Sequence, residues 1–245
     1  MYVCLCWLGI LCLAWTPIAI VVYPLLSVRQ GRILGRFIIS RGFRLYLTTL
    51  VKSGRCTFDL TALDVLSKEG ALILAPNHPC LLDAVMVISR LPNVACVLKS
   101  ALMRNVFLGA GSRLARYIPS DPVRGMIQHA IKDFENGSQL LLFPEGTRTV
   151  QSPVNHFKGS IGIIANHAKV PVQTILIETD TKFLSKGWSL FRKPVLPIHY
   201  KVTLGRRFDP PEDTQQFMID LAHYFRHELV KDSAFYPQGA LARPD

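Results

Sequence analysis

The stretch NHPCLLD, residues 77–83, places an imidazole, a thiol and a carboxylate close together. In one continuous helix His78 and Asp83 would lie roughly 140° apart around the axis and could not meet. Pro79 disfavours helical geometry at His78 and fits the first turn of a following helix, so Asp83 can point back toward the imidazole. Such a carboxylate fixes the tautomer and leaves the second ring nitrogen free to take a proton from a hydroxyl. The alternative is a solvated Asp83 in a first helical turn beside a loop histidine.

The stretch FPEGTRT, residues 143–149, follows an apolar run and presents Glu145, Gly146, Thr147 and Arg148. A carboxylate, a flexible backbone with accessible amides, a hydroxyl and a guanidinium suit a polyol that carries a phosphate. The alternative interpretation is an ordinary turn with a surface glutamate and arginine.

The elements around these stretches predict an α/β fold with a mostly parallel central sheet flanked by helices. Short apolar runs bounded by turn residues predict strands over 71–76, 94–100, 139–144, 170–178 and 199–205. Residues 122–136 predict a helix with Asp121 as N-cap and Pro122 in the first helical position, and 214–230 predict another helix. In parallel sheets, ligand sites gather at the carboxyl ends of strands.

The N-terminus predicts a membrane segment. Residues 2–28 have no charged side chain and exceed the roughly 20 apolar residues that span a bilayer. Because no basic residues precede the run and no small-residue cleavage site follows it, we expect a retained anchor and not a secretory signal. Pro17 and Pro24 leave both a spanning helix and a half-inserted hairpin open.

The segment after the apolar run predicts a basic amphipathic helix in the headgroup layer, because Arg29, Arg32 and Arg36 recur at helical spacing. A soluble amphipathic helix is the alternative. The arginines favour a catalytic domain on the cytoplasmic side, at the inner membrane if the source is bacterial. We therefore expect a membrane anchor with its interfacial helix over 1–53 and a catalytic domain over 54–245.

The charge balance predicts an anionic partner. The chain has 28 Lys and Arg against 17 Asp and Glu, a net charge of +11. The basic residues cluster beside the apolar segment and no aromatic-interleaved nucleic-acid motif is present, so membrane lipids are the expected partner and nucleic acid is not. The six cysteines have neither zinc-ligand spacing nor the pattern of a disulfide framework, and we predict no metal site.

The two polar stretches together resemble the glycerolipid acyltransferase family, which includes the 1-acyl-glycerol-3-phosphate acyltransferases and related lysophospholipid acyltransferases. Asn77 and His78 with Asp83, followed by FPEGTRT at 143–149, carry the resemblance. The segments GSRLARYIPSD at 111–121 and FKGSIGIIANHAKVPV at 157–172 agree with it.

The resemblance implies transfer of a fatty acyl group from acyl-CoA or acyl carrier protein to a hydroxyl of a lysophospholipid or lysophosphatidic acid, a step of phospholipid biosynthesis that needs no cofactor. It makes His78 the general base and Asp83 its orienting partner, with Arg148 on the acceptor's phosphate. No acyl-enzyme is needed, since the acceptor oxygen attacks the thioester directly. The substrate-binding residues that the resemblance implies are Asn77, Glu145, Gly146, Thr147, Arg148 and Lys158.

One departure concerns the acceptor. The family's second block usually carries a phosphate-binding arginine, and this sequence has Ser120 and Asp121 near that place. Arg116 and Arg124 are candidate substitutes, and an acceptor without a glycerol phosphate is the other possibility.

Two functional alternatives remain open from the sequence. Cys80, next to the candidate base, could be acylated, which would make the protein a thioesterase or a ping-pong transferase. A thiol between apolar neighbours is more often a small packing residue. The second alternative is a non-catalytic membrane protein that binds anionic lipid.

Overall fold

The fold is organised around a seven-stranded sheet, in a computed structural model that describes residues 2–189 and 192–231. Within these residues the strand order is β1-β7-β6-β2-β5-β3-β4, and every neighbouring pair is parallel except β6 with β7. The strands are β1 (Cys56–Asp59), β2 (Leu72–Pro76), β3 (Val94–Leu98), β4 (Ile118–Pro119), β5 (Gln139–Leu141), β6 (Val172–Thr179) and β7 (Ile198–Phe208). The predicted mostly parallel sheet is confirmed. Residues 232–245, the end of the predicted catalytic domain, lie outside the described residues.

The five predicted strands are all present, with shifted ends. The strand predicted over 139–144 ends at Leu141, because the chain turns out of the sheet before the FPEGTRT stretch. Two edge strands, β1 and β4, were not predicted from the sequence. Each is too short to show a periodic apolar pattern, and β4 has only two residues.

Helices cover both faces of the sheet. The α-helices are α1 (Tyr2–Val22), α2 (Val28–Lys52), α3 (Asp83–Arg90), α4 (Gly109–Leu114), α5 (Val123–Phe134), α6 (Ser160–Ala168) and α7 (Thr214–Lys231). Side chains of β2 alternate between two cores, Leu72 and Leu74 on the side of α2 and α3, Ile73 and Ala75 on the side of α5, α6 and α7. The result is a three-layer α/β/α arrangement.

The start of α5 differs from the prediction. Pro122 and not Asp121 is the N-cap, and the α5 start has no side-chain capping bond. The Asp121 carboxylate instead accepts a hydrogen bond from the Ser120 hydroxyl at 3.0 Å. Asp121 was therefore wrongly predicted as the cap, because a competing donor sits directly before it.

The N-terminal segment forms a helical hairpin. Pro17 lies within α1, whereas Pro24 lies in a 3-10 turn that ends this helix before α2 begins. Ser27 caps α2 in a reciprocal pair with Gln30, a capping box that satisfies free N–H groups of the first turn. In the described part of the chain, one helical stretch, Tyr2–Leu25, is long and apolar enough to cross a membrane.

Both halves of α1 contact the α/β layers. The Tyr2 hydroxyl donates to the Arg192 carbonyl at 2.8 Å, and the Thr16 hydroxyl donates to the Val106 carbonyl at 3.0 Å. Between α1 and α4, the Trp15 ring packs so closely on Gly111 that a Cβ there would lie 2.9 Å from it. The hairpin is therefore docked along the domain over most of its first helix.

The arginines of α2 do not form one free basic face. Arg36 is 2% exposed and donates to Asp133 at 2.7 Å, to the Ala115 carbonyl at 3.0 Å and to Ser138 at 2.9 Å. Arg32 binds the same Asp133 at 3.2 Å. The prediction that these two side chains lie in the headgroup layer is corrected, because both bond to the same carboxylate of α5 inside the protein. Such a carboxylate, distant in sequence, is invisible to a pattern within one helix.

Candidate active site

The two polar stretches leave neighbouring strands at the same edge of the sheet. Strands β2 and β5 are parallel, with Leu72 opposite Gln139 and Leu74 opposite Leu141. Because the carboxyl ends of parallel neighbours lie side by side, the chain delivers 77–83 and 143–149 to one place.

The predicted contact between His78 and Asp83 is present. Their Nδ1 and Oδ2 atoms are 2.7 Å apart, and Asp83 is fully buried while 17% of His78 is exposed. The helix begins later than predicted, at Asp83 and not at Pro79. Residues 79–82 form turns, and these turns bring Asp83 back to the imidazole.

The imidazole of His78 is held on one face and free at one nitrogen. The Phe143 ring stacks on it with a centroid separation of 3.9 Å and an interplanar angle of 22°. With Asp83 on Nδ1, that nitrogen carries the proton and Nε2 is the basic atom. Nε2 has no hydrogen-bond partner among the described residues. Nε2 of His78 can therefore accept a proton from a hydroxyl group.

The Asp83 carboxylate is also bound by residue 80. Cys80 donates its backbone N–H to Oδ2 and its thiol to Oδ1, both at 2.9 Å, and the sulfur accepts the Leu82 N–H at 3.3 Å. Burial and the neighbouring carboxylate raise the pKa of the Cys80 thiol well above its usual range. Cys80 is therefore a protonated donor in this site.

Glu145 binds the backbone N–H groups of His78 and Asn155. Its Oε1 accepts the His78 N–H at 2.9 Å and the Thr149 hydroxyl at 2.8 Å, while Oε2 accepts the Asn155 N–H at 2.8 Å. The side chain is buried, and burial raises its pKa against the opposing effect of these three donors. The contact of Glu145 with the acceptor stays a prediction, and in the structure its oxygens hold the two stretches together.

The Asn77 side chain also bonds to backbone groups, in this case to those of Ile177 in β6. Its Nδ2 donates to the Ile177 carbonyl at 2.9 Å and its Oδ1 accepts the Ile177 N–H at 2.7 Å. This buried side chain ties the end of β2 to β6, and its contact with substrate stays a prediction. Asn77 fixes where the chain leaves the sheet just before His78.

The remaining predicted binding residues surround a tight turn. Gly146 has a φ of +64°, and a Cβ there would lie 2.6 Å from the Lys158 side chain. The stem of Lys158 therefore lies across the turn, and the residue is exposed. Thr147 is half-buried, and its hydroxyl has no partner among the described residues.

Arg148 is anchored through one nitrogen of its guanidinium. Nη1 donates to the carbonyls of Leu184 at 2.8 Å and Ser185 at 3.1 Å. The Leu184 carbonyl also accepts the Leu81 N–H at 3.2 Å. The loop after β6 therefore joins the HPCLLD turn to the Arg148 side chain, and the other guanidinium N–H groups remain for an anion.

The candidate substitutes for the missing arginine are engaged elsewhere or exposed. Arg116 donates to the Tyr23 hydroxyl at 2.7 Å and stacks on that ring at 4.6 Å. Arg124 is exposed in the first turn of α5. Within the described residues, neither side chain bonds to residues 77–83 or 143–149.

Three groups of the site were not assigned these roles from the sequence. They are the Cys80 thiol, which donates a hydrogen bond to the Asp83 carboxylate, and the Thr149 hydroxyl and the Asn155 backbone N–H, which donate to the Glu145 carboxylate. For Cys80, its position between the histidine and the aspartate was the available clue. For Asn155 the sequence offers none, because the bonded atom is a backbone N–H.

Comparison with known proteins agrees with this architecture. A family model described as Acyltransferase matches residues 57–178, a span that contains both polar stretches. The fold is similar to the crystal structure of the 1-acyl-sn-glycerophosphate (LPA) acyltransferase PlsC from Thermotoga maritima, with a TM-score of 0.56 and 17% identity over 97% of this chain and 98% of that one. The chain has a PlsC-like fold and belongs to the acyltransferase family.

Proposed function

We propose that this acyltransferase moves a fatty acyl group from a thioester, acyl-CoA or acyl carrier protein, to the free hydroxyl of a lysophosphatidic acid-type acceptor at a membrane. The observation that carries the proposal is the His78–Asp83 contact of 2.7 Å with Nε2 unoccupied by any described residue. The geometry is that of a general base with an orienting carboxylate.

The proposed step is direct transfer. The acceptor hydroxyl gives its proton to Nε2 of His78, and its oxygen bonds to the carbonyl carbon of the thioester. The carbon–sulfur bond then breaks, and the proton passes from Nε2 to the departing thiolate. Asp83 stabilises the imidazolium between the two proton transfers. A base of this kind contributes roughly 10²- to 10⁴-fold, so positioning of the two substrates supplies much of the remaining acceleration.

The proposed acceptor site is the turn around Gly146. The Lys158 ammonium, the Thr147 hydroxyl and the free N–H groups of Arg148 are suited to a phosphate, since guanidinium and ammonium groups bind phosphate by charge-assisted hydrogen bonds. The turn begins directly after Glu145, which bonds to the backbone of His78. A phosphate bound there would lie close to the base, as a small glycerol-based acceptor requires.

We further propose that the N-terminal hairpin inserts partly into one leaflet, with the catalytic domain on the cytoplasmic side. Contacts at Tyr2 and Thr16 hold α1 along the domain, which favours a half-inserted helix over one that stands away from the domain across the bilayer. The arginines after α1 favour the cytoplasmic placement. The exposed apolar side chains of α1 that would enter lipid are Val3, Ile10, Leu13, Ile18, Ile20 and Val21.

The alternative with Cys80 as nucleophile is disfavoured. A covalent thioester would need an accessible thiolate, whereas this side chain is 1% exposed and donates its proton to Asp83.

The test is identification of the product. The full chain in mixed phospholipid vesicles is given acyl-CoA or acyl carrier protein, with an equimolar mixture of lysophosphatidate, lysophosphatidylcholine, glycerol 3-phosphate and monoacylglycerol. Mass spectrometry should find phosphatidate as the main new lipid. Preferential acylation of monoacylglycerol would overturn the phosphate site, and hydrolysis to free fatty acid without any acylated acceptor would overturn acyl transfer itself.

A further inference from the structure

The two oxygens of the Asp83 carboxylate are held by different donors. Oδ2 faces the His78 imidazole at 2.7 Å and the Cys80 backbone N–H at 2.9 Å. Oδ1 accepts the Cys80 thiol at 2.9 Å, and among the described residues no other group hydrogen-bonds to this oxygen. We propose that Cys80 is a positioning residue for the reaction, whose thiol fixes the rotation of the Asp83 carboxylate against His78.

The need for this donor follows from burial. Asp83 is 0% exposed, so water does not reach an oxygen that the protein leaves unbonded. An unpaired oxygen of a buried carboxylate is costly, and the group would rotate to share its remaining donors. Since such a rotation moves Oδ2 away from Nδ1, the Cys80 thiol protects the geometry of the base.

The thiol is itself aimed by the backbone. Its sulfur accepts the Leu82 N–H at 3.3 Å, so one side of the sulfur is occupied and the S–H points to Oδ1. The burial that raises the thiol pKa keeps this donor protonated at neutral pH. Cys80 therefore acts through Asp83 and does not touch the reacting atoms.

This inference rests on the proposed function, in which His78 is the base. It predicts different results for donor and non-donor side chains at position 80. Serine keeps a hydroxyl donor, alanine removes the donor, and valine removes it while filling the space. Cys96 supplies a matched control, since its thiol is also buried but lies in β3 away from the carboxylate.

The experiment measures kcat, KM and the pH dependence of kcat/KM for acyl transfer to lysophosphatidate. We expect Cys80→Ala and Cys80→Val to lower kcat about 10- to 100-fold with KM nearly unchanged, the effect of losing a hydrogen bond to a charged group. Once Oδ2 has rotated away from Nδ1, Asp83 stabilises the protonated imidazole less, so the acidic limb of the profile should move to lower pH. Cys80→Ser should restore both quantities, and Cys96→Ala should change neither.

Two variants keep the inference testable if one of them does not fold, because Cys80→Val retains the packing that Cys80→Ala loses. A normal kcat and an unmoved acidic limb in the non-donor variants would overturn the inference, and so would a Cys80→Ser enzyme as slow as Cys80→Ala. His78→Ala is measured in parallel. Full activity there would overturn the proposed base, whereas loss of activity there with normal Cys80 variants would overturn only the role of the thiol.

Discussion

The Glu145 carboxylate accepts the backbone N–H of His78 at 2.9 Å, and so connects the loops that leave β5 and β2. A second bond runs the other way, from the Thr149 N–H to the His78 carbonyl at 2.7 Å. The candidate base is therefore held on both sides by the FPEGTRT stretch. The two sequence motifs form one bonded unit, and the proposed acceptor turn is fixed relative to the candidate base.

Glu145→Gln should slow catalysis more than it weakens substrate binding. An amide can accept at only one end, so its NH2 group would face either the Asn155 N–H or the His78 N–H and displace the backbone there. We expect kcat to fall about 10- to 100-fold, as for loss of a hydrogen bond to a charged group. Steady-state kinetics on lysophosphatidate measure it, with the exposed Glu135→Gln as control. An unchanged kcat with a raised KM would instead indicate that Glu145 binds the acceptor.

Arg148→Lys should weaken binding of phosphate-bearing acceptors. Lysine keeps the charge, but two of its three N–H groups would be used on the Leu184 and Ser185 carbonyls, which leaves one for an anion where arginine has three. We expect the KM for lysophosphatidate to rise about tenfold, equivalent to roughly 1.4 kcal/mol, with the KM for acyl-CoA unchanged. Turnover of monoacylglycerol, which has no phosphate, serves as the control. An equal rise of KM for lysophosphatidate and monoacylglycerol would show that Arg148 only positions the loop after β6.

Cys80 should resist alkylation in the folded protein. Burial raises the pKa of its thiol, so thiolate should not form there as the pH rises through the usual range for cysteine. Peptide mapping after treatment with iodoacetamide at pH 8 should find Cys80 unmodified in the folded protein, with activity retained, and modified in the chain unfolded by denaturant. Rapid modification of Cys80 in step with loss of activity is the outcome that the nucleophile alternative requires.

Arg36→Met should destabilise the whole chain. The variant leaves Asp133 paired only with Arg32 and removes the bonds to Ala115 and Ser138 in a buried site. Because Asp133 keeps Arg32, the cost is mainly that of buried acceptors left without their donor, about 1–3 kcal/mol for each. Chemical denaturation in detergent measures the free energy of unfolding. The control is Arg41→Met, which removes an exposed side chain over Phe37 and should cost about 1 kcal/mol or less. Equal effects of the two substitutions would contradict the structural role of Arg36.

The sheet and the meeting of the two motifs were predictable from the sequence because both depend on local patterns. Short apolar runs mark β2 and β5, and each is followed by its polar stretch. Once the strands are parallel neighbours, their carboxyl ends must coincide. The contact of His78 with Asp83 was one of two alternatives from the sequence, and it depended on Pro79, which disfavours helical geometry at His78.

The functions of Asn77 and Glu145 were less predictable. Residue type shows that a side chain can bond to a substrate, but not that backbone groups of Ile177 or His78 have already taken its polar atoms. Arg36 illustrates the same limit, because its partner Asp133 is distant in sequence. These assignments require the three-dimensional arrangement.

The most direct measurement of the central claim is the rate of thiol release from acyl-CoA with lysophosphatidate, compared among the unaltered chain, His78→Ala, Asp83→Asn and His129→Ala. His129 is an exposed histidine on α5 and serves as the matched control. We predict that His78→Ala lowers the rate roughly 10²- to 10⁴-fold, that Asp83→Asn also lowers it strongly by removing the carboxylate from Nδ1, and that His129→Ala is normal. A His78→Ala rate equal to that of the unaltered chain, with phosphatidate still formed, would contradict the account.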